Sequence, residues 1–133
     1  MILQYTNLLL ILSLLYFYFN SIKNWMEYIL ALLLIAVIIS SQIFWRNPLR
    51  DTSVHKIDAI IAKVCILFFI FYTFLFKLQT DDLALIYTLL LLCIAVAVGF
   101  SGYFSSRKWC SHSHINSHAF LHYFCFIATF FAF

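Results

Sequence analysis

Five apolar runs, each close to twenty residues long, follow one another along a chain of 133 residues. They extend from about Ile2 to Phe19, Trp25 to Trp45, Val54 to Phe76, Leu83 to Phe104 and Ser113 to Phe133. A bilayer hydrocarbon core of about 30 Å needs roughly 20 helical residues at about 1.5 Å each, so each run is long enough, or nearly so, to cross one. The runs show no strict alternation, which argues for helices and against barrel strands. Composition agrees. Hydrophobic residues make up 65% of the chain, aromatic residues 20% and charged residues only 10%, against about a quarter charged in a soluble domain. Eight Lys/Arg and five Asp/Glu cannot cover a water-facing surface. A soluble enzyme, a disordered tail, a disulfide framework and a nucleic-acid binder are therefore excluded, and the net charge of +3 is too scattered for a basic binding face.

The expected fold is all-α, a polytopic helical membrane bundle forming a single transmembrane domain over residues 1–133. It has five spans, or four if the first is lost. The breaks carry the expected punctuation: Asn20-Ser21-Ile22-Lys23-Asn24, Arg46-Asn47-Pro48-Leu49-Arg50-Asp51, Gln79-Thr80-Asp81-Asp82 and Ser105-Ser106-Arg107-Lys108. Trp25, Trp45 and Trp109 sit at span ends, where interfacial indoles concentrate. The first run has neither a basic n-region nor an A-x-A-like cleavage site, so it reads as a span and not as a signal peptide. No soluble domain is expected at either end, and no internal repeat is evident. Cys65, Cys93 and Cys125 lie inside spans as small apolar fillers. With Cys110 in a loop, they imply no disulfide framework.

Short connections make neighbouring spans antiparallel. Arg46, Arg50, Lys56, Arg107 and Lys108 then share one face, and Lys23 and Lys77 the other. Lys and Arg accumulate on the cytoplasmic side, which places the N-terminus in the cytoplasm and Phe133 across the membrane.

An ionisable side chain inside a span marks a candidate site, because it must face the bundle interior or water. The third span opens Thr52-Ser53-Val54-His55-Lys56-Ile57-Asp58-Ala59. At about 100° per residue, His55 and Asp58 share a face that the small Ala59 and Ala62 continue. The fifth span carries His114, His118 and His122 at i, i+4 and i+8, with Cys125 and Thr129 on the same stripe and Phe120, Phe124, Ile127, Phe130 and Phe131 opposite. The topology also brings the ends of the second and fourth spans, with Ser40, Ser41, Gln42, Ser101 and Ser105, to the same membrane face. Four helices thus converge their polar residues at one level.

Neutral imidazoles are common metal ligands, and a pair on successive helical turns can hold one ion. His55, His118 and His122 are accordingly the expected ligands of a zinc ion, with a vacant fourth position for water. Asp58 would act as general base or orient a ligand, and Ser53, Ser41 or Ser101 would donate to a developing oxyanion. The structural alternative is polar packing, with Asp58 paired to Lys56 or Lys63 or hydrogen-bonded to a hydroxyl on a neighbouring helix. Lys63 can snorkel outward.

His55 and Asp58 on one helix, with Ser53 nearby, and His118-Ala119-Phe120-Leu121-His122 on the last resemble the CREST membrane hydrolases, which include alkaline ceramidases and adiponectin-receptor-like proteins. That resemblance implies a Ser, an Asp and three His around zinc, hydrolysing lipid amides or esters. The chain departs from the family in having five spans instead of seven, and Asp51 where the family's Ser usually stands. Two other functions fit the composition. One is a non-enzymatic scaffold or subunit of a larger membrane complex, in oligomeric or mixed assembly. The other is a subunit that binds haem b or quinone through His residues of two helices. The bilayer is the expected partner in every case, and a lipid the expected substrate if there is one.

Overall fold

The computed structural model describes residues 2–20, 23–77 and 84–133. Ser21 and Ile22 of the first connection, the Gln79–Asp82 connection and the expected span start at Leu83 lie outside these residues. The described chain is all-helical: α1 (Ile2–Leu8), α2 (Leu10–Phe19), α3 (Trp25–Arg46), α4 (Ser53–Tyr72), a π-helical turn (Thr73–Lys77), α5 (Ala84–Arg107) and α6 (His112–Ala132). Together they make five helices long and apolar enough to cross a membrane, Ile2–Phe19, Trp25–Arg46, Ser53–Lys77, Ala84–Arg107 and His112–Ala132. The first span is therefore present as a helix, and the described boundaries fall within one residue of the apolar runs that encode them, except that the fourth helix runs on past Phe104 to Arg107.

Side chains explain where helices start and where they deform. Asn24, Thr52 and Ser111 cap α3, α4 and α6 by accepting the backbone N–H of Glu27, His55 and His114, which satisfies donors that a first turn leaves free. The first span is interrupted at Leu9, whose N–H bonds the Thr6 carbonyl three residues back at 3.2 Å. Thr6 itself donates to the Leu3 carbonyl, and such back-bonding bends helices. The π-helical turn begins at Thr73, whose hydroxyl lies 2.9 Å from the Phe69 carbonyl and 3.0 Å from that of Ile70.

The helices form an open arc. α3 and α4 pack as one antiparallel hairpin and α5 and α6 as another, while α1 and α2 lie between them against α3 and α6. Half of the apolar window of α3 is buried, against 22% in every other span, which makes α3 the most enclosed helix. Leu10, Leu30, Leu34, Phe69, Tyr87, Ile94 and Ala128 form the main core. α4 and α5 end the arc and meet mainly where the π-helical turn touches α5. Along most of their length their backbones stand apart, which leaves a gap between them.

Lipid tails are as apolar as these side chains, so close packing and hydrogen bonds, not water exclusion, hold the spans together. Polar residues fasten the first span. Asn7 donates to the Ile38 carbonyl at 3.1 Å, Ser13 to the Phe126 carbonyl at 3.1 Å, and Thr129 to Ser13 at 2.9 Å. Gln42 reaches the Gln4 carbonyl at 2.8 Å, and Asn20 bonds the Phe133 carbonyl. Membrane hydrogen bonds of this kind average about 0.6 kcal/mol in double-mutant cycles. The Ser13→Ala and Thr129→Val pair is expected to couple by about that much in unfolding measurements. A coupling indistinguishable from zero would mean the bond contributes nothing to docking the first span.

Candidate functional site

Two entry turns of the same design position the histidines. Asp51 has φ 62° and Cys110 φ 56°, left-handed values that non-glycine residues seldom adopt. Each aims its own N–H at the Nδ1 of the histidine four residues on, Asp51 to His55 at 3.1 Å and Cys110 to His114 at 3.0 Å. The next residue in each turn, Thr52 or Ser111, accepts that histidine's backbone N–H at 3.3 Å. The sequence had not indicated this local repeat, because only the cap hydroxyl and the histidine are shared. Cys110 is part-buried here, and burial pushes its thiol up from the usual range, so it is a poor nucleophile.

Aromatic rings close the loop end of the arc. His55 stacks on Phe44 with ring centres 5.1 Å apart and meets Trp109 edge-on at 5.0 Å. The Trp109 indole donates to the Pro48 carbonyl at 3.2 Å, joining the two connections. Trp45 lies 5.1 Å from His118 and is buried, with an indole N–H that has no acceptor among the described residues.

Beneath this roof, two polar walls face one space. On one, Asp58 is 7% exposed, and its Oδ1 accepts hydrogen bonds from Ser40 at 2.7 Å and Ser41 at 2.8 Å. Of the partners considered for Asp58, the neighbouring hydroxyls and not Lys56 or Lys63 are realised. On the other wall, Ser101 Oγ lies 2.9 Å from His118 Nδ1, and Thr6 Oγ1 lies 2.9 Å from His122 Nδ1. The two rings are 4.8 Å apart. Ser41, Asp58, His55, Ser101, His118 and His122 all line one cavity of about 340 Å³, whose walls continue along Ile66, Phe69 and Val98 as far as Thr129.

Of the residues expected to act together, the structure gathers Asp58, His55, His118 and His122 around this cavity. It leaves Ser53 exposed at the start of α4 and outside the cavity lining, so Ser41 and Ser101 are the hydroxyls available. A shared ligand point for His55, His118 and His122 needs the third and fifth spans to be neighbours. Instead each packs mainly on its own hairpin partner, and the cavity lies between them. A zinc ion requires its ligand atoms at about 2.0–2.2 Å from a common point. Among the described residues, no group of three or more His, Cys, Asp or Glu side chains is placed to hold a metal. His118 and His122 stand together, whereas the His55 ring is held against Phe44 and Trp109. As placed here, these residues do not fit a three-histidine zinc centre.

The chain was compared with family models, curated proteins and solved structures. None matches. Its chemistry rests on its own geometry.

Five polar side chains escaped the sequence reading. Thr6 reaches His122, Asn7 and Ser13 anchor the first span, and Glu27 forms a buried pair with Tyr72 at the opposite membrane face. A signal for the first group exists: Leu3, Asn7, Leu10 and Ser13 are the buried positions of α1 and α2, and their three- and four-residue steps mark one helix face. Glu27 stands three residues after the cap Asn24 and reads equally well as a solvated first-turn acid.

Proposed function

We propose that the protein takes a membrane lipid into the cavity between its two hairpins and hydrolyses an ester or amide bond in that lipid. The observation that carries this reading is the placement of a carboxylate, Asp58, and an imidazole, His118, on opposing hairpins around one cavity that is roofed by aromatic rings and flanked by the gap between α4 and α5. A ligand entering through that gap comes from the bilayer, so no soluble domain is needed to deliver it. The accumulation of Arg46, Arg50, Lys56, Arg107 and Lys108 at the roofed end supports a cytoplasmic-leaflet site and a cytoplasmic N-terminus. The resemblance to the CREST hydrolases, carried by His55, Asp58, His118 and His122 with Ser53 nearby, points to the same substrate class.

In this reading Asp58 removes a proton from a water molecule whose oxygen attacks the lipid carbonyl carbon. The bond from that carbon to the leaving oxygen or nitrogen breaks, and the proton held by Asp58 passes to the leaving group, while the His118 ring donates a hydrogen bond to the developing oxyanion. Ser40 and Ser41 hold the Asp58 carboxylate in place, and Ser101 does the same for His118. The test is fatty-acid release, followed by mass spectrometry, from ester and amide lipids presented in mixed micelles. Release by the native chain and its loss in Asp58→Asn are expected. Release that survives Asp58→Asn unchanged, or no release from any such lipid, overturns the reading.

A further inference from the structure

Lys63 has no role in the chemistry above, yet its position is unusual. It lies ten residues into α4, roughly 15 Å along the helix axis, at a depth where an ammonium group is costly unless it meets an anion or reaches water. Its side chain is exposed to the surroundings of the bundle and lines the cavity. Among the described residues it has no ion pair, since the one such pair joins Arg50 to Asp51. Lys56 on the same helix is also exposed but stays out of the cavity lining and lies about two turns nearer the membrane surface. The gap beside Lys63 is lined by small residues, Ala59 and Ala62 on α4 and Gly102 on α5. A Cβ added at Gly102 would meet nothing within 4 Å.

We infer that Lys63 is the anion-binding residue of the cavity, and that the lipid it selects carries an oxyanion near its polar end, either a phosphate or a carboxylate. This rests on the lipid-binding reading above. The ammonium gains a counter-charge only when such a lipid occupies the gap, with its chain against Ile66 and Phe69. A neutral lipid of the same shape leaves it unpaired, so selectivity comes from the charge and not from the chain.

The experiment uses the full chain in micelles of an uncharged maltoside detergent, with phosphatidate, oleate and diacylglycerol competing for a spin-labelled lipid. Phosphatidate or oleate is expected to bind about tenfold more tightly than diacylglycerol, the size of one charge-assisted contact, and the tighter of the two identifies the anion as phosphate or carboxylate. Lys63→Met should bring the preference within about twofold of unity, while Lys63→Arg and Lys56→Met should keep it. Gly102→Leu, which fills the gap without a backbone clash, should weaken all three lipids. If Lys56→Met erases the preference as fully as Lys63→Met, or if neither does, the Lys63 assignment is overturned while Gly102→Leu-sensitive binding keeps the cavity reading intact. If no lipid binds saturably and sensitively to Gly102→Leu, both are overturned.

Discussion

Asp58→Asn is expected to lower lipid hydrolysis by about a hundredfold or more, the usual contribution of a positioned general base, while leaving the fold in place. Asn retains a carbonyl oxygen where Asp58 Oδ1 accepts from Ser40 and Ser41, but it cannot take a proton from water. Asp58→Ala removes both functions. Ser40 has a second acceptor in the Val37 carbonyl at 3.2 Å, whereas the buried Ser41 is left without its acceptor. The unmet hydroxyl costs about 1–3 kcal/mol. Thermal unfolding in detergent should therefore rank Asp58→Asn close to the native chain and Asp58→Ala clearly below it, with both inactive. Adding Ser41→Ala to Asp58→Ala should recover part of the loss. An Asp58→Asn chain that unfolds as readily as Asp58→Ala would show that the two serines do not position the side chain.

Tyr72→Phe is expected to destabilise the bundle by about 2 kcal/mol, at the upper end for hydrogen bonds between membrane helices. Glu27 is 3% exposed and Tyr72 1%, and the Tyr72 hydroxyl donates to Glu27 Oε1 at 3.0 Å. Glu27 Oε2 has no partner among the described residues, so removing the hydroxyl leaves a buried carboxyl group with nothing to hold it. Removing the whole polar pair is a milder change, because breaking a buried pair leaves an uncompensated group and deleting it does not. Glu27→Leu with Tyr72→Phe should accordingly be more stable than Tyr72→Phe alone. Equal stability of Tyr72→Phe and the native chain would deny the bond any part in joining α3 to α4.

The spans were legible because a bilayer imposes one length and one polarity on every crossing, and Lys, Arg, Asn and Pro mark the breaks. The convergence of Asp58, Ser41, Ser101 and His118 was legible for a similar reason: antiparallel spans fix which ends share a membrane face. What the sequence could not supply was the order of helices around the bundle. Periodicity assigns His55 and Asp58 to one face of α4, but whether that face meets α6 or an intervening space depends on where the first span docks. Thr6, Asn7 and Ser13 decide that docking, and nothing in a single apolar run reveals which partner its few polar groups will find. Rotamer choice was equally hidden. The His55 imidazole takes the Asp51 N–H on Nδ1, a contact created by one left-handed residue, with its ring packed against Phe44 and Trp109.

The two serine contacts have a common spacing. Ser41 and Asp58 are 17 residues apart, and so are Ser101 and His118. Each hairpin presents a hydroxyl from its first helix to a titratable side chain on its second, a carboxylate in one hairpin and an imidazole in the other. The first span lies between the two hairpins and touches the histidine wall through Thr6 and His122, so the walls are not interchangeable and a lipid entering the gap meets a carboxylate on one side and an imidazole on the other.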